Sequence, residues 1–124
     1  MAATLTINQS MVLTDTNLNV SNNPGQLSFS PATSQSSGSV FTVPTTASGV
    51  VIPLGSITVP GYFSVTNLDL TNYVQLLVAV SGAPFCKLLP GKTATFQFDP
   101  TLTAPAWVAH TGACKVSFLL CDGA

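Results

Sequence analysis

The chain contains no glutamate and no arginine among its 124 residues, and its formal net charge is −1. Asp15, Asp69, Asp99, Asp122, Lys87, Lys92 and Lys115 carry all of its formal charge. That is 6% of the residues, against roughly 25% in an ordinary soluble domain. Nucleic-acid binding draws its affinity from Lys and Arg neutralising phosphates, and three scattered lysines build no basic stripe. Anionic membrane surfaces are disfavoured for the same reason. No stretch approaches the roughly 18–20 apolar residues of a membrane span; the longest apolar run, Leu76 to Val80, has the length of a strand. The first residues, Met1 to Asn8, have neither the basic stretch nor the hydrophobic core of a secretory signal, so synthesis in the cytoplasm without export is expected. The three cysteines, Cys86, Cys114 and Cys121, are an odd number and read as free, buried thiols in a reducing compartment.

Reactive groups are equally scarce. His110 is the single histidine and sits in a strand-like setting, Trp107 to Thr111, so a nucleophilic triad has one candidate base and a structural role suits it better. The four aspartates read as turn residues that bond the local backbone rather than as a converging acid–base pair. Neither C-x-x-C nor H-x-x-x-H occurs, and Cys114 and Cys121 are seven apart. Asn67, Asp69 and Asn72 come nearest to a calcium loop, but a turn explains them more simply. Pro90-Gly91-Lys92-Thr93 ends like a phosphate loop but lacks the upstream glycine and the helix that follows. No catalytic residue, metal ligand or cofactor site is therefore assigned. Trp107, Tyr62 and Tyr73 are the candidates for stacking on a sugar, though large aromatics more often fill a core or an interface.

Hydrophobic residues make up 46% of the chain, enough for a packed core without metals or disulfides. Strand signals recur throughout. Leu5 and Ile7, Leu18 and Val20, Leu27 and Phe29, and Phe63 and Val65 each alternate with polar neighbours. Phe41 and Val43 flank Thr42, and Val50 to Leu54 and Ile57 to Val59 are rich in β-branched residues. Ala94, Phe96 and Phe98, then Val116, Phe118 and Leu120, repeat the alternation. Turns are expected at Asn22-Asn23-Pro24-Gly25, Val59-Pro60-Gly61, Ser81-Gly82-Ala83-Pro84, Leu89-Pro90-Gly91-Lys92 and Asp99-Pro100. This rhythm predicts a single all-β domain over residues 1–124, an antiparallel β-sandwich or jelly-roll-like barrel of about eight to ten strands. The polar stretch Ser30 to Ser39 is expected to be a flexible surface loop.

Two strands have no polar face. Val74, Leu76 and Val78 alternate with Tyr73, Gln75, Leu77 and Ala79, and Leu119 and Cys121 lie opposite Phe118 and Leu120. Sandwich outer faces normally meet water, so Tyr73, Gln75, Leu77 and Leu119 are the candidate interface residues.

The second half also carries a longer pattern. Gly61-Tyr62-Phe63-Ser64-Val65-Thr66-Asn67-Leu68-Asp69-Leu70-Thr71-Asn72-Tyr73-Val74-Gln75 is followed by Phe85-Cys86-Lys87-Leu88-Leu89-Pro90-Gly91-Lys92, Ala94-Thr95-Phe96 and a final Cys114 to Asp122. Over residues 61–122 this resembles a group of small tailed-phage virion proteins encoded among head and tail genes; Lys92 departs from it where Glu often follows the Pro-Gly turn. The resemblance implies a virion structural role, most simply a capsid decoration or cement protein. Its expected partners are copies of itself, a trimer among the options, and the major capsid protein, with no nucleic acid and no membrane. The expected location is the virion, assembled in the host cytoplasm. A tail or head–tail connector component is the alternative; a tail-tube subunit usually needs a charged lumen surface and an inter-subunit hairpin, and the sequence shows neither. A glycan- or receptor-binding module is the alternative of another class. On this reading Leu77→Lys weakens assembly more than it lowers the melting temperature of the isolated chain, because an unpaired charge is costly only where it is desolvated.

Overall fold

The computed structural model describes residues 4–16, 18–30 and 36–123. Ten strands follow one another without a helix among these residues: β1 (Leu5–Asp15), β2 (Leu18–Phe29), β3 (Ser36–Val43), β4 (Val50–Val51), β5 (Pro60–Asn67), β6 (Val74–Leu77), β7 (Pro84–Leu88), β8 (Thr93–Gln97), β9 (Ala106–Ala109) and β10 (Cys114–Asp122). β1 and β2 form a ribbon of their own. The other eight make two four-stranded antiparallel sheets, a front sheet in the order β3-β10-β5-β8 and a back sheet in the order β4-β9-β6-β7. The chain crosses between them at nearly every connection, which is the eight-stranded jelly-roll arrangement.

Period-two alternation aims the core. In β10, Cys114, Val116, Phe118 and Leu120 are buried while Lys115, Ser117 and Leu119 are exposed. Val74 and Leu76 of β6 and Trp107 and Ala109 of β9 meet them from the back sheet. Trp107 is fully buried and touches three front-sheet strands. Its ring stacks on Phe41 of β3 at 5.5 Å, meets Phe118 of β10 edge-on at 5.4 Å and lies 6.2 Å from Phe63 of β5. Ile52 and Ile57, from the long connection after β4, fill the same core. That connection was expected to be strand through Leu54 and again at Ile57 to Val59. Only Val50–Val51 is strand; Ile52 N–H still donates to the Pro105 carbonyl at 3.0 Å, and beyond it the chain leaves the sheet with Ile52, Leu54 and Ile57 directed at the core.

The connections at Ser81–Pro84, Leu89–Lys92 and Asp99–Pro100 lie where turns were expected. Lys92 N–H donates to the Leu89 carbonyl at 3.1 Å, and Leu102 N–H to that of Asp99 at 2.9 Å. Other expectations fail. Pro60 and Gly61 do not turn the chain but open β5, where Pro60 pairs with Asp122 of β10. Ser36 to Ser39 are strand rather than loop, because pairing along β10 from Cys121 to Leu119 and beyond outweighs the weak β-propensity of Ser and Gly; positions 31–35 lie outside the described residues. Asn22 to Gly25 is no chain reversal. It is a bulge inside β2 opposite Gln9 to Met11, with Gly25 at φ +79° and its N–H donating to Asn23 Oδ1 at 3.1 Å. The reversal comes between Asp15 and Leu18, which pair directly.

Asn67 braces the far end of the sandwich. It is fully buried, and its Nδ2 donates to the carbonyls of Asn72 at 3.0 Å and Leu88 at 3.1 Å, while its Oδ1 accepts the Asp69 N–H at 3.0 Å. The Asn-Leu-Asp-Leu-Thr-Asn segment is thus a clamp between β5, the β5–β6 turn and β7. Asn67→Ala removes three hydrogen bonds, the one to the Leu88 carbonyl buried, and should cost about 2–4 kcal/mol in urea denaturation, whereas Ser117→Ala, on the exposed side of β10, should change stability by less than about 0.5 kcal/mol.

Candidate functional site

The aspartates do local work. Asp69 accepts N–H bonds from Thr71 at 2.9 Å and Asn72 at 2.6 Å, and Asp99 accepts from Thr101 N–H at 2.8 Å and Thr101 Oγ1 at 2.7 Å. These bonds, the Asn72 N–H first for Asp69 and the Thr101 hydroxyl first for Asp99, hold both carboxyls below their ordinary 3.8. Burial pushes all three thiols up, away from the reactive thiolate. Cys114 and Cys121 stand at opposite ends of β10, and among the described residues no three His, Cys, Asp or Glu side chains converge.

The four candidate interface residues do not form one surface. Tyr73, Gln75 and Leu77 belong to the outer side of the back sheet and Leu119 to the outer side of the front sheet. Leu77 is only 5% exposed, so its place at an interface is corrected. It packs with Ala106 and Val108 beneath the 46–49 loop, where a Cβ on Gly49 would fall 2.7 Å from Leu77 Cδ1, and Ser81 N–H donates to Ser48 O at 2.7 Å to tie that loop to the β6–β7 turn. The chain's own loops cover this part of the face. Beside it runs a polar row in which Tyr73, Gln75 and His110 are half-buried and Lys87 is exposed. Lys87 Nζ lies 4.1 Å from the centre of the Tyr73 ring, Tyr73 stacks on His110 at 4.8 Å, and His110 Nε2 lies 2.8 Å from Gln75 Oε1. Trp107, the leading candidate for a sugar platform, is sealed in the core.

The front sheet's outer side is a hydroxyl lattice with few apolar groups. Thr66 and Thr93 share a hydrogen bond at 2.8 Å, and Thr95 Oγ1 donates to Ser64 Oγ at 3.1 Å. Leu119, at 44% exposure, and Val40, at 59%, stand among them. Leu5 to Gln9 of β1 lie over one end of this sheet and enclose with Tyr62, Leu119 and Cys121 a groove of about 270 Å³.

The β1–β2 ribbon is the feature that sequence reading missed. Leu5 and Ile7 are half-buried at its root, but every residue from Asn8 to Thr14 and from Ser21 to Ser28 is exposed. From Ser10 to Asp15 it extends about 20 Å beyond the part that touches the front sheet. Met11, Val12 and Leu13, at 76%, 70% and 58% exposure, crowd its outer half. Their three-residue apolar run was the available signal. With the reversal placed at Asn22 to Gly25, the run had no strand to belong to.

Compared with known proteins, the chain matches no family model, no curated protein and no solved structure.

Two predictions follow from this geometry. Because folding lowers the Asp69 and Asp99 pKa values, the stability they lend is complete above the unfolded value and is lost as pH falls through the folded ones. Asp69→Asn with Asp99→Asn should therefore flatten the acid limb of the stability curve below about pH 4 and leave its neutral region nearly level. Leu77→Lys, moved from surface to core, should destabilise the dilute single chain by about 2–5 kcal/mol, as read from its denaturation midpoint.

Proposed function

We propose that this protein is a non-enzymatic structural protein that works by assembling with copies of itself. One observation carries the reading: a two-stranded ribbon, exposed on both faces and bearing Met11, Val12 and Leu13, extends from a compact sandwich. Such a ribbon is marginal in water by itself. Each of the three side chains gains about 1.5–3 kcal/mol when fully buried, before the cost of association. The scarcity of charge supports the same reading, since copies meet without like-charge repulsion.

Within that class the protein is best read as a virion component of a tailed phage. The pattern over residues 61–122 resembles such proteins, and jelly rolls serve in viral capsid and lectin domains. Decoration of the capsid shell is the first position, with the major capsid protein as the second partner. The ribbon gives the tail or connector position more weight than the sequence did, because it supplies the hairpin that the sequence did not show; a charged lumen surface still has no residues to build it. The glycan-binding alternative loses its Trp107 platform and keeps only Tyr62 and Tyr73.

Light scattering over a concentration series is the test. The native mass should rise with concentration, and Met11→Lys with Leu13→Lys should return the chain to a monomer with its denaturation midpoint unchanged. A wild-type chain that stays monomeric at millimolar concentration overturns the assembly reading. In purified virions, a copy number that follows the shell subunits places the protein on the capsid, and a few copies per particle place it at the tail or connector.

A further inference from the structure

Building on the self-assembly reading, we propose that the β1–β2 ribbon of one copy adds edge-on to β3 of the next, extending the neighbour's front sheet through the ribbon's β1 strand. The two jelly-roll sheets leave four edges, and three are guarded by the usual devices. β4 is two residues long. β7 carries Pro84 and Lys87 and an irregular register at Leu76/Leu77. β8 has five residues between Lys92 and Asp99-Pro100. β3 has eight, Ser36-Ser-Gly-Ser-Val-Phe-Thr-Val43, with no charge and no proline. Every second residue of an antiparallel edge turns its N–H and C=O away from its neighbour, so β3 presents about four such residues. Among the described residues, the main-chain bonds of Ser36 to Val43 run to β10 alone, and Ser39 Oγ reaches the Val40 carbonyl at 3.3 Å.

The ribbon has the matching half. β2 is bulged and contains Pro24, which spoils its free edge, whereas β1 has neither proline nor charge from Leu5 to Thr14. Its outer portion, Ser10 to Asp15, is long enough to pair along most of β3. Adding a third strand also removes the instability of a lone ribbon. The occupant is a second copy because donor and acceptor are both nearly uncharged: among positions 1–68 Asp15 is the single Asp, Glu, Lys or Arg. The nearest charges at the two ends are opposite in sign, Asp15 at the ribbon's tip and Lys115 on β10 beside Thr42 of β3. Ribbon and edge are different surfaces, so the contact is head-to-tail and generates rings or filaments rather than an isologous pair.

A complementation experiment tests this. Met11→Lys/Leu13→Lys disables the donor. Val40→Lys, at an exposed mid-strand position, disables the acceptor as an edge lysine does in natural sheets. Each variant alone should run as a monomer, with apparent dissociation constants raised about 100-fold and Trp107 fluorescence and urea midpoint unchanged. Mixed, they should form a one-to-one dimer and stop there, since one intact ribbon meets one intact edge. If the wild type assembles but Val40→Lys assembles as well as it does, or the mixture stays monomeric, the edge assignment is overturned while self-assembly stands. A monomeric wild type removes both.

Discussion

The packing of Trp107 against three strands of the opposite sheet is the interaction on which the sandwich depends. A chain with seven charged residues cannot hold itself together with ion-pair networks, so the two sheets must be fastened by burial. Trp107 stands at the middle of that contact, against Phe41, Phe63 and Phe118. The cluster continues through Phe63 to Phe96 and Phe98, and Phe85 closes the open side between β7 and β8. Every face and edge of the molecule takes its direction from this inward aim, because in a strand each residue that points in commits its neighbour to point out.

The outward residues are then what the protein has to offer, and they differ from one place to another. The front sheet shows Ser and Thr hydroxyls that satisfy one another across strands. The back sheet hides Leu77, Ala106 and Val108 beneath the 46–49 loop and leaves a row of Lys87, Tyr73, His110 and Gln75. The ribbon has neither solution, since Met11, Val12, Leu13 and Leu27 stay open to water. Backbone groups and greasy side chains exposed together create a demand for a partner strand, and the long, uncharged β3 edge makes the corresponding demand on the body.

The Gly61–Asn72 pattern is structural at the level of single atoms. Asn67 ties the β5–β6 turn to β7 with three side-chain hydrogen bonds, and Asp69 caps the turn it begins. Gly61, which starts the pattern, faces Gly123 so closely that a Cβ on either would come within 2.5 Å of the other's Cα. A pattern of this kind reports how a jelly roll is closed at its ends. That explains why it says so little about chemistry.

Periodicity and composition determined the all-β class, the inward faces of β5, β8 and β10 and most of the turns, because those properties are local: alternation sets facing, and turn residues act on their own backbone. The sequence could not reveal that Leu77 lies beneath the 46–49 loop, since the cover comes from residues about thirty positions away, nor that Ser36 to Ser39 pair with β10. It misplaced the first hairpin because Asn-Asn-Pro-Gly suits a bulge as well as a turn, and only the pairing of Leu5 with Phe29 and of Asp15 with Leu18 decides between them. Tertiary structure alone decided which apolar residues were left over once the core was full. Burial is a property of the whole packing, and Met11, Val12 and Leu13 became the candidate working surface only because the packing of the described residues left them exposed.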